Sequence, residues 1–287
     1  MRTTILFLLI LTAVPVYAQV QKDTTQVNLR PVIVTALKEE QPVGPYSQPE
    51  WTVHRRFPST RVYLQTLPGE AEFEQWMEVR VPPKNSTNKT EIRFREELEF
   101  GLGEHLQLDL YLNSHQYRDN NNSTFTPMGW SAEIRWAPAD WGALPANPTL
   151  YFEYIFNDGA TSGEGGWDRI EPKLLLGGSI APAWHWGLNL VSEWQLAPRD
   201  ERAEEYKVTG AVSWSAIDEK LSLGPSALYV AEADRSGGTA VWEHGLLLGG
   251  SMQYRPLKKA YFSIEPLFGA TDESKQLDMF IVFGWEL

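Results

Sequence analysis

The 287-residue sequence predicts an all-β fold, an antiparallel transmembrane β-barrel of about 12 strands (roughly 10–14) with a short periplasmic N-terminal arm. Three observations predict it. Apolar and polar residues alternate at period two in strand-length stretches from Ala71 to Leu287. The last stretch puts Leu277, Met279, Ile281, Phe283, Trp285 and Leu287 on one face and Asp278, Phe280, Val282, Gly284 and Glu286 on the other. Such a strand would be an aggregation-prone edge in an open sheet, but it is satisfied where the last strand of a barrel closes on the first. The third observation is an export signal at the start of the chain.

Residues 1–18 have the form of that signal. Arg2 is the basic head, Ile5 to Val14 the apolar run, and Val16-Tyr17-Ala18 a small-residue cleavage site. The run is too short to span a bilayer, and no later stretch approaches about 18 consecutive apolar residues, so a helical membrane protein is excluded. The chain carries 25 Lys+Arg against 37 Asp+Glu, net −12, and loss of Arg2 with the signal takes this to −13. That balance argues against nucleic acid as a partner, since such binding needs basic surface. The absence of cysteine rules out disulfides, thiolate metal sites and thiol nucleophiles. A mean hydropathy of −0.33 fits a barrel as well as a soluble protein, because half of each strand faces the lumen. The 12 Trp, 12 Phe and 11 Tyr suit aromatic girdles at the two membrane interfaces.

Residues 19–68 are polar, lack sustained periodicity and contain Pro31, Pro42, Pro45, Pro49 and Pro58. They read as an extended periplasmic arm, with room for short strand or plug-like parts. Pro68-Gly69 marks the start of the barrel, residues 69–287.

The strands fall at 70–81, 90–102, 105–118, 130–138, 149–158, 167–178, 184–196, 205–215, 221–232, 241–255, 260–270 and 276–287. Their connections alternate. Gly103-Glu104, Ser179 to Ala183, Ala216 to Lys220 and Pro256 to Lys259 are short, whereas Asp119 to Gly129, Gly159 to Gly166, Ala197 to Glu204 and Ala233 to Ala240 are longer and polar. Outer-membrane barrels have short periplasmic turns and longer outer loops, so both ends of the barrel fall in the periplasm. Ala139 to Pro148 breaks the rule by being long for a periplasmic turn. A soluble β-sandwich would share the periodicity, but the signal, the last strand and the loop alternation favour a bacterial, Gram-negative outer-membrane location with membrane lipid and the periplasmic assembly machinery as partners.

Once the apolar faces are given to lipid, the opposite faces line the lumen, and the first strands make it heavily charged. The candidate site is the inward cluster Glu72, Glu74, Glu78, Arg80, Glu91, Arg93, Arg95, Glu97, Glu99 and Asp109. A hairpin about the loop Pro82 to Lys89 sets Arg80 opposite Glu91 and Glu78 opposite Arg93, as complementary cross-strand pairs. The same register gathers Glu72, Glu74, Glu97 and Glu99 near the periplasmic end with Asp109 close by. Carboxylates that close raise one another's pKa or recruit a cation. The cluster reads either as a cation-preferring constriction or divalent-metal site, or as a polar network filling a narrow bore, and filling is the commoner role in small barrels. No resident metal or cofactor is assigned.

No catalytic residues are assigned either. Outer-membrane lipases place His and Ser two apart on one face, and none of the five histidines has such a Ser. His115 follows Ser114, but alternation sends them to opposite faces. His185, between Trp184 and Trp186, reads as an interface anchor, and His54, His105 and His244 show no base–nucleophile partner.

Pro31-Val32-Ile33-Val34-Thr35-Ala36 is similar to the energy-coupling box of TonB-dependent receptors, which implies a periplasmic partner bound by strand addition. Those receptors have a full plug domain and about 22 strands. Here only 34 residues separate Ala36 from Ala71, so a TonB-like partner is not expected. The run Gly69-Glu70-Ala71-Glu72-Phe73-Glu74-Gln75-Trp76, with Glu97-Leu98-Glu99-Phe100-Gly101-Leu102 and His105 to Leu112, resembles a loose group of outer-membrane barrels, some of them encoded with meta-pathway phenol degradation. The resemblance implies a role in transport. The expected function is passive passage of small polar or aromatic solutes. A lumen-filled structural or interaction barrel is the alternative, and an outer-membrane lipid hydrolase comes third.

Overall fold

The computed structural model describes residues 36–84, 86, 89–118, 123–157, 167–198, 202–234 and 239–287. The export signal and most of the coupling-like segment lie outside them. Twelve antiparallel strands follow in chain order: β1 Ala71–Val81, β2 Thr90–Gly103, β3 Leu106–Arg118, β4 Ser123–Trp136, β5 Thr149–Asn157, β6 Arg169–Ala181, β7 Trp184–Gln195, β8 Glu204–Ile217, β9 Leu221–Asp234, β10 Val241–Leu257, β11 Ala260–Gly269 and β12 Leu277–Glu286. Each pairs with the next, and β12 pairs with β1 to close the barrel. Closure removes the apolar edge that the last strand would otherwise expose.

The alternation sorts the side chains by face. On β12, Phe283 is 43% exposed toward the outside while Val282 is wholly buried against Trp76 and Tyr261. Leu98, Leu110, Trp130, Ile134, Leu190 and Phe262 continue the exposed outer band. So much large apolar surface facing outward suits lipid and not water.

Several strands run beyond their expected limits, β4 and β10 among them. β4 begins at Ser123 because Thr124 and Thr126 carry on pairing with Tyr117 and His115 past an irregularity at Asn113 and Ser114. Polar threonines facing a polar lumen look like loop in the sequence. β10 reaches Leu257, with an irregularity between Tyr254 and Leu257 that spans Pro256, where the missing N–H is tolerated near a strand end.

The closing seam is crossed by a side chain. Tyr261 on β11, Gly284 on β12 and Glu74 on β1 are successive register partners around the wall. The Tyr261 hydroxyl donates to the Glu74 carboxylate. A Cβ on Gly284 would lie 2.2 Å from the Tyr261 ring, so only glycine lets the ring pass over the last strand.

The arm departs from expectation. Residues 36–67 do not extend into the periplasm but are packed inside the bore. Turns at Lys38–Glu40 and Glu50–Thr52 and a two-residue ladder of Pro42–Val43 with Gln48–Pro49 shape them. Trp51, Phe57, Tyr63 and Leu64 are each at most 2% exposed. Proline prevents long strands but does not prevent compaction, and the polarity of this stretch matches a polar lumen as well as it matches water. The long turn after β4 then has a use. Trp141 N donates to Tyr46 O at 3.0 Å, Tyr63 donates to Ala139 O at 2.7 Å, and the Trp141 ring meets both Trp51 and Tyr63 edge-on. Its extra length clasps the arm.

Candidate functional site: a plugged bore beneath an outer cup

The arm occupies the half of the bore nearest the short turns. Its Val62 sits where two glycines flatten the wall. Gly177 on β6 and Gly187 on β7 are register partners, and a Cβ on them would stand 2.4 and 2.7 Å from Val62 methyl carbons. Polar contacts fix the rest. Asn189 accepts from Arg61 N at 2.8 Å and donates to Arg61 O at 2.7 Å, Ser59 N donates to Glu265 at 2.6 Å, and Gln253 donates to Arg55 O at 2.6 Å.

The arm's arginines enter the acidic part of the expected cluster. Glu74, Glu97, Glu99 and Asp109 are fully buried, and Glu72 is 2% exposed. Arg55 Nε donates to Glu74 at 2.7 Å, and its Nη2 donates to Glu99 at 2.8 Å and to Glu97 at 3.3 Å. The guanidinium lies 4.4 Å from the centre of the Trp76 ring, whose indole N–H donates to Glu74 and Glu97, each at 2.8 Å. Arg61 Nη2 donates to Glu97 at 3.1 Å and to Tyr111 at 2.9 Å, and lies 3.7 Å from Glu133. Arg135 pairs with Asp109 at 2.7 Å and with Glu133. Burial opposes the charge on Arg55, but Glu74, Glu97 and Glu99 outweigh it and lift its pKa above the ordinary value.

Oxygen atoms of Glu74, Glu97 and Glu99 lie within 4.8 Å of one another, as do those of Glu97, Asp109 and Glu133. Guanidinium groups already fill these nests. A second ionic anchor holds the start of the arm, where Arg56 pairs with Glu39 at 2.7 Å and donates to Ser215 at 3.1 Å.

The other expected residues stand apart from this floor. Arg80 faces Glu91 and Glu78 faces Arg93, as the sequence register predicts. The tight contacts nonetheless run along each strand, Arg80 to Glu78 at 2.7 Å and Arg93 to Glu91 at 2.9 Å, with Arg80 to Glu91 at 4.0 Å. Arg95 turns away to Asn113 and Glu153. Arg80, Glu91 and Arg93 help line a cavity of about 680 Å³ toward the longer loops, together with Arg169, Lys207 and Glu232. On its far wall Glu193, Glu205, Glu232 and Glu243 are register partners across β7 to β10. Like charges so aligned repel. Lys207 offsets part of this, 2.5 Å from Glu205 and 3.7 Å from Glu193.

Sequence reasoning missed Arg55, Arg61, Glu133, Arg135 and Tyr261. A signal for the first two was present. The inward faces of the first three strands hold more acids than bases, and Arg55, Arg56 and Arg61 crowd into seven positions of the arm. Ser131, Glu133 and Arg135 also alternate with Ala132, Ile134 and Trp136.

His185 is not an interface anchor. It faces the lumen, fully buried, and stacks on Trp51 with ring centres 4.6 Å apart, while Trp184 faces outward. Ser179 Oγ lies 3.0 Å from His185 Nδ1, and Glu39 lies 3.9 Å from Nε2. Glu39 is engaged by Arg56, Ser215 and the Glu219 N–H instead, so the carboxylate–imidazole hydrogen bond of a hydrolytic triad is not made.

No protein-family profile matches the chain, and neither does any curated protein. Among solved structures, an outer membrane channel from Pseudomonas putida F1 superposes with a TM-score of 0.57 at 11% identity, over 78% of this chain and 98% of that one. The translocator domain of the autotransporter NalP from Neisseria meningitidis gives 0.46 at 11% identity, over 76% and 88%. The first likeness shows the fold. The chain is a bacterial outer-membrane β-barrel with a channel among its structural neighbours.

Proposed function

We propose that this barrel is an outer-membrane channel for small solutes, closed in the described state by residues 36–67 of its own chain. The observation that carries the reading is the way the arm is held. Buried ion pairs and hydrogen bonds fix it to the wall, while its apolar contacts are limited to small groups around Trp51, Phe57 and Tyr63. Buried ion pairs specify position while contributing little net stability, because desolvation offsets much of the attraction. A plug held this way is well placed and removable.

The charged cup favours polar solutes. The resemblance to meta-pathway barrels supports aromatic ones in addition, and flux of a phenol against a sugar of similar size separates the two. A permanently filled structural barrel is the competing reading, supported by the same plug.

A chain without cysteine permits a direct test. Thr60 Oγ1 on the arm is 2.9 Å from Thr209 Oγ1 on β8, so Thr60→Cys with Thr209→Cys can be oxidised to pin the arm. Conductance across a planar bilayer should be low when oxidised and should rise on reduction. Equal conductance in the two states means the arm does not gate the bore, and the structural reading then takes precedence.

A further inference from the structure

We propose that the acidic floor of the bore is a binding site for solutes carrying two cationic N–H groups, such as a guanidinium joined to an ammonium, and that these exchange with Arg55 and Arg61. The wall alone builds the site. Glu72, Glu74 and Trp76 stand on β1, and Glu97 and Glu99 on β2. The arm supplies only the cations now in it.

With the arm docked, Glu74, Glu97, Glu99, Asp109 and Glu133 meet three guanidinium groups, two of them from the arm. Once the arm leaves, Arg135 alone remains. Crowded carboxylates that lose their counter-charges repel one another even when water enters, so vacating the floor and filling it with another cation are coupled. The carboxylates set the charge of that cation, and the Trp76 face selects a flat or weakly hydrated one.

A second observation points to a ligand. Glu72 is 2% exposed, and its Oε1 has no hydrogen-bond partner among the described residues. It pairs in register with Glu99, beside the Arg55 nest. Arg55 answers Glu74, Glu97 and Glu99 and leaves this acceptor over. Donors are not short, since Arg55 Nη1 also has no partner among the described residues; reach is what fails, and a freely diffusing solute can place a donor where the tethered side chain does not.

The inference deepens the channel reading by naming its solute class, but its test does not depend on conduction. Titration calorimetry of the full chain in detergent, with agmatine as probe, compares wild type with Arg55→Ala/Arg61→Ala. Removing the tethered competitor should tighten agmatine by about tenfold or more, since apparent affinity is reduced by the fraction of open sites. Glu74→Gln added to that variant should reverse the gain. Heat-modifiable gel mobility checks folding. Where the double variant does not fold, a single cysteine at Val62 in the otherwise native chain serves. Its maleimide labelling should accelerate with agmatine and not with sodium chloride of equal ionic strength. No agmatine binding by the folded variant, or equal acceleration by salt, overturns the site. Binding without conduction by either protein leaves the site standing and sinks the channel.

Discussion

Gly177 and Gly187 face each other across β6 and β7, and the gap left by their missing side chains receives Val62 of the arm. The smoothness of the wall at this point belongs to the plug and not to the barrel, since the lipid faces of both strands are unaffected by it.

Gly187→Leu should therefore unseat the arm and spare the barrel. Its Cβ would lie 2.7 Å from Val62 and 3.0 Å from Thr60. The expected result is unchanged heat-modifiable mobility with raised bilayer conductance and new protease cleavage within residues 36–67. A variant as protected as wild type would show that the slot does not position the arm.

Parity predicts tolerance to charge. Phe283→Arg faces lipid and should cost about 2–4 kcal/mol at mid-membrane, which blocks assembly, whereas Thr126→Arg faces the lumen and should assemble. Val282 also faces inward but packs against Trp76 and Tyr261, so a charge there fails through packing. Equal assembly of Phe283→Arg and Thr126→Arg, read by gel mobility, would contradict the assignment of faces.

Acidification should loosen the arm through His54. Burial, with Arg255 and Arg56 nearby, holds its pKa well below the ordinary value, and Glu286 at 3.8 Å does not outweigh them. A histidine with a depressed pKa in the docked state favours docking above its free value of about 6.5 and loses that contribution as pH falls below it. Arm protection from protease should decline below about pH 6.5, and the decline at mildly acid pH should be smaller in His54→Gln. Identical profiles would assign the effect to the carboxylates.

Residues 31–35 of the coupling-like segment lie outside the described residues. Peptide 27–40 should show no binding to the C-terminal domain of TonB in a pull-down, because only 34 residues separate Ala36 from Ala71 and the barrel has twelve strands, where coupled receptors carry a full plug domain and about 22 strands. Retention of the peptide, lost with Ile33→Pro, would reverse this expectation.

Much of the wall was legible because period two is a local signal. Leu277 to Leu287 show their faces without reference to any other strand, and a hairpin about the loop Pro82 to Lys89 then sets the register that puts Glu78 beside Arg93. What joins distant residues was not legible. Arg55 meets Glu99 across 44 positions, and nothing in the neighbourhood of either names the other. Charge balance was the available clue, since an acid-rich lumen needs cations and the arm holds three arginines close together. The turn from Ala139 to Pro148 was visible as an anomaly, but its reason lay in Tyr46 and Tyr63, which the sequence places in another segment.

The bond from Tyr261 over Gly284 to Glu74 bears on the direction of traffic. First and last strands are where a barrel parts most readily, because no chain connection joins them. Here a buried tyrosine is bolted across that seam, so parting it would break a hydrogen bond to a carboxylate as well as the backbone ladder. Sideways escape of a solute into the bilayer is opposed at this point. Under the channel reading a solute therefore travels along the axis, through the space the arm now fills.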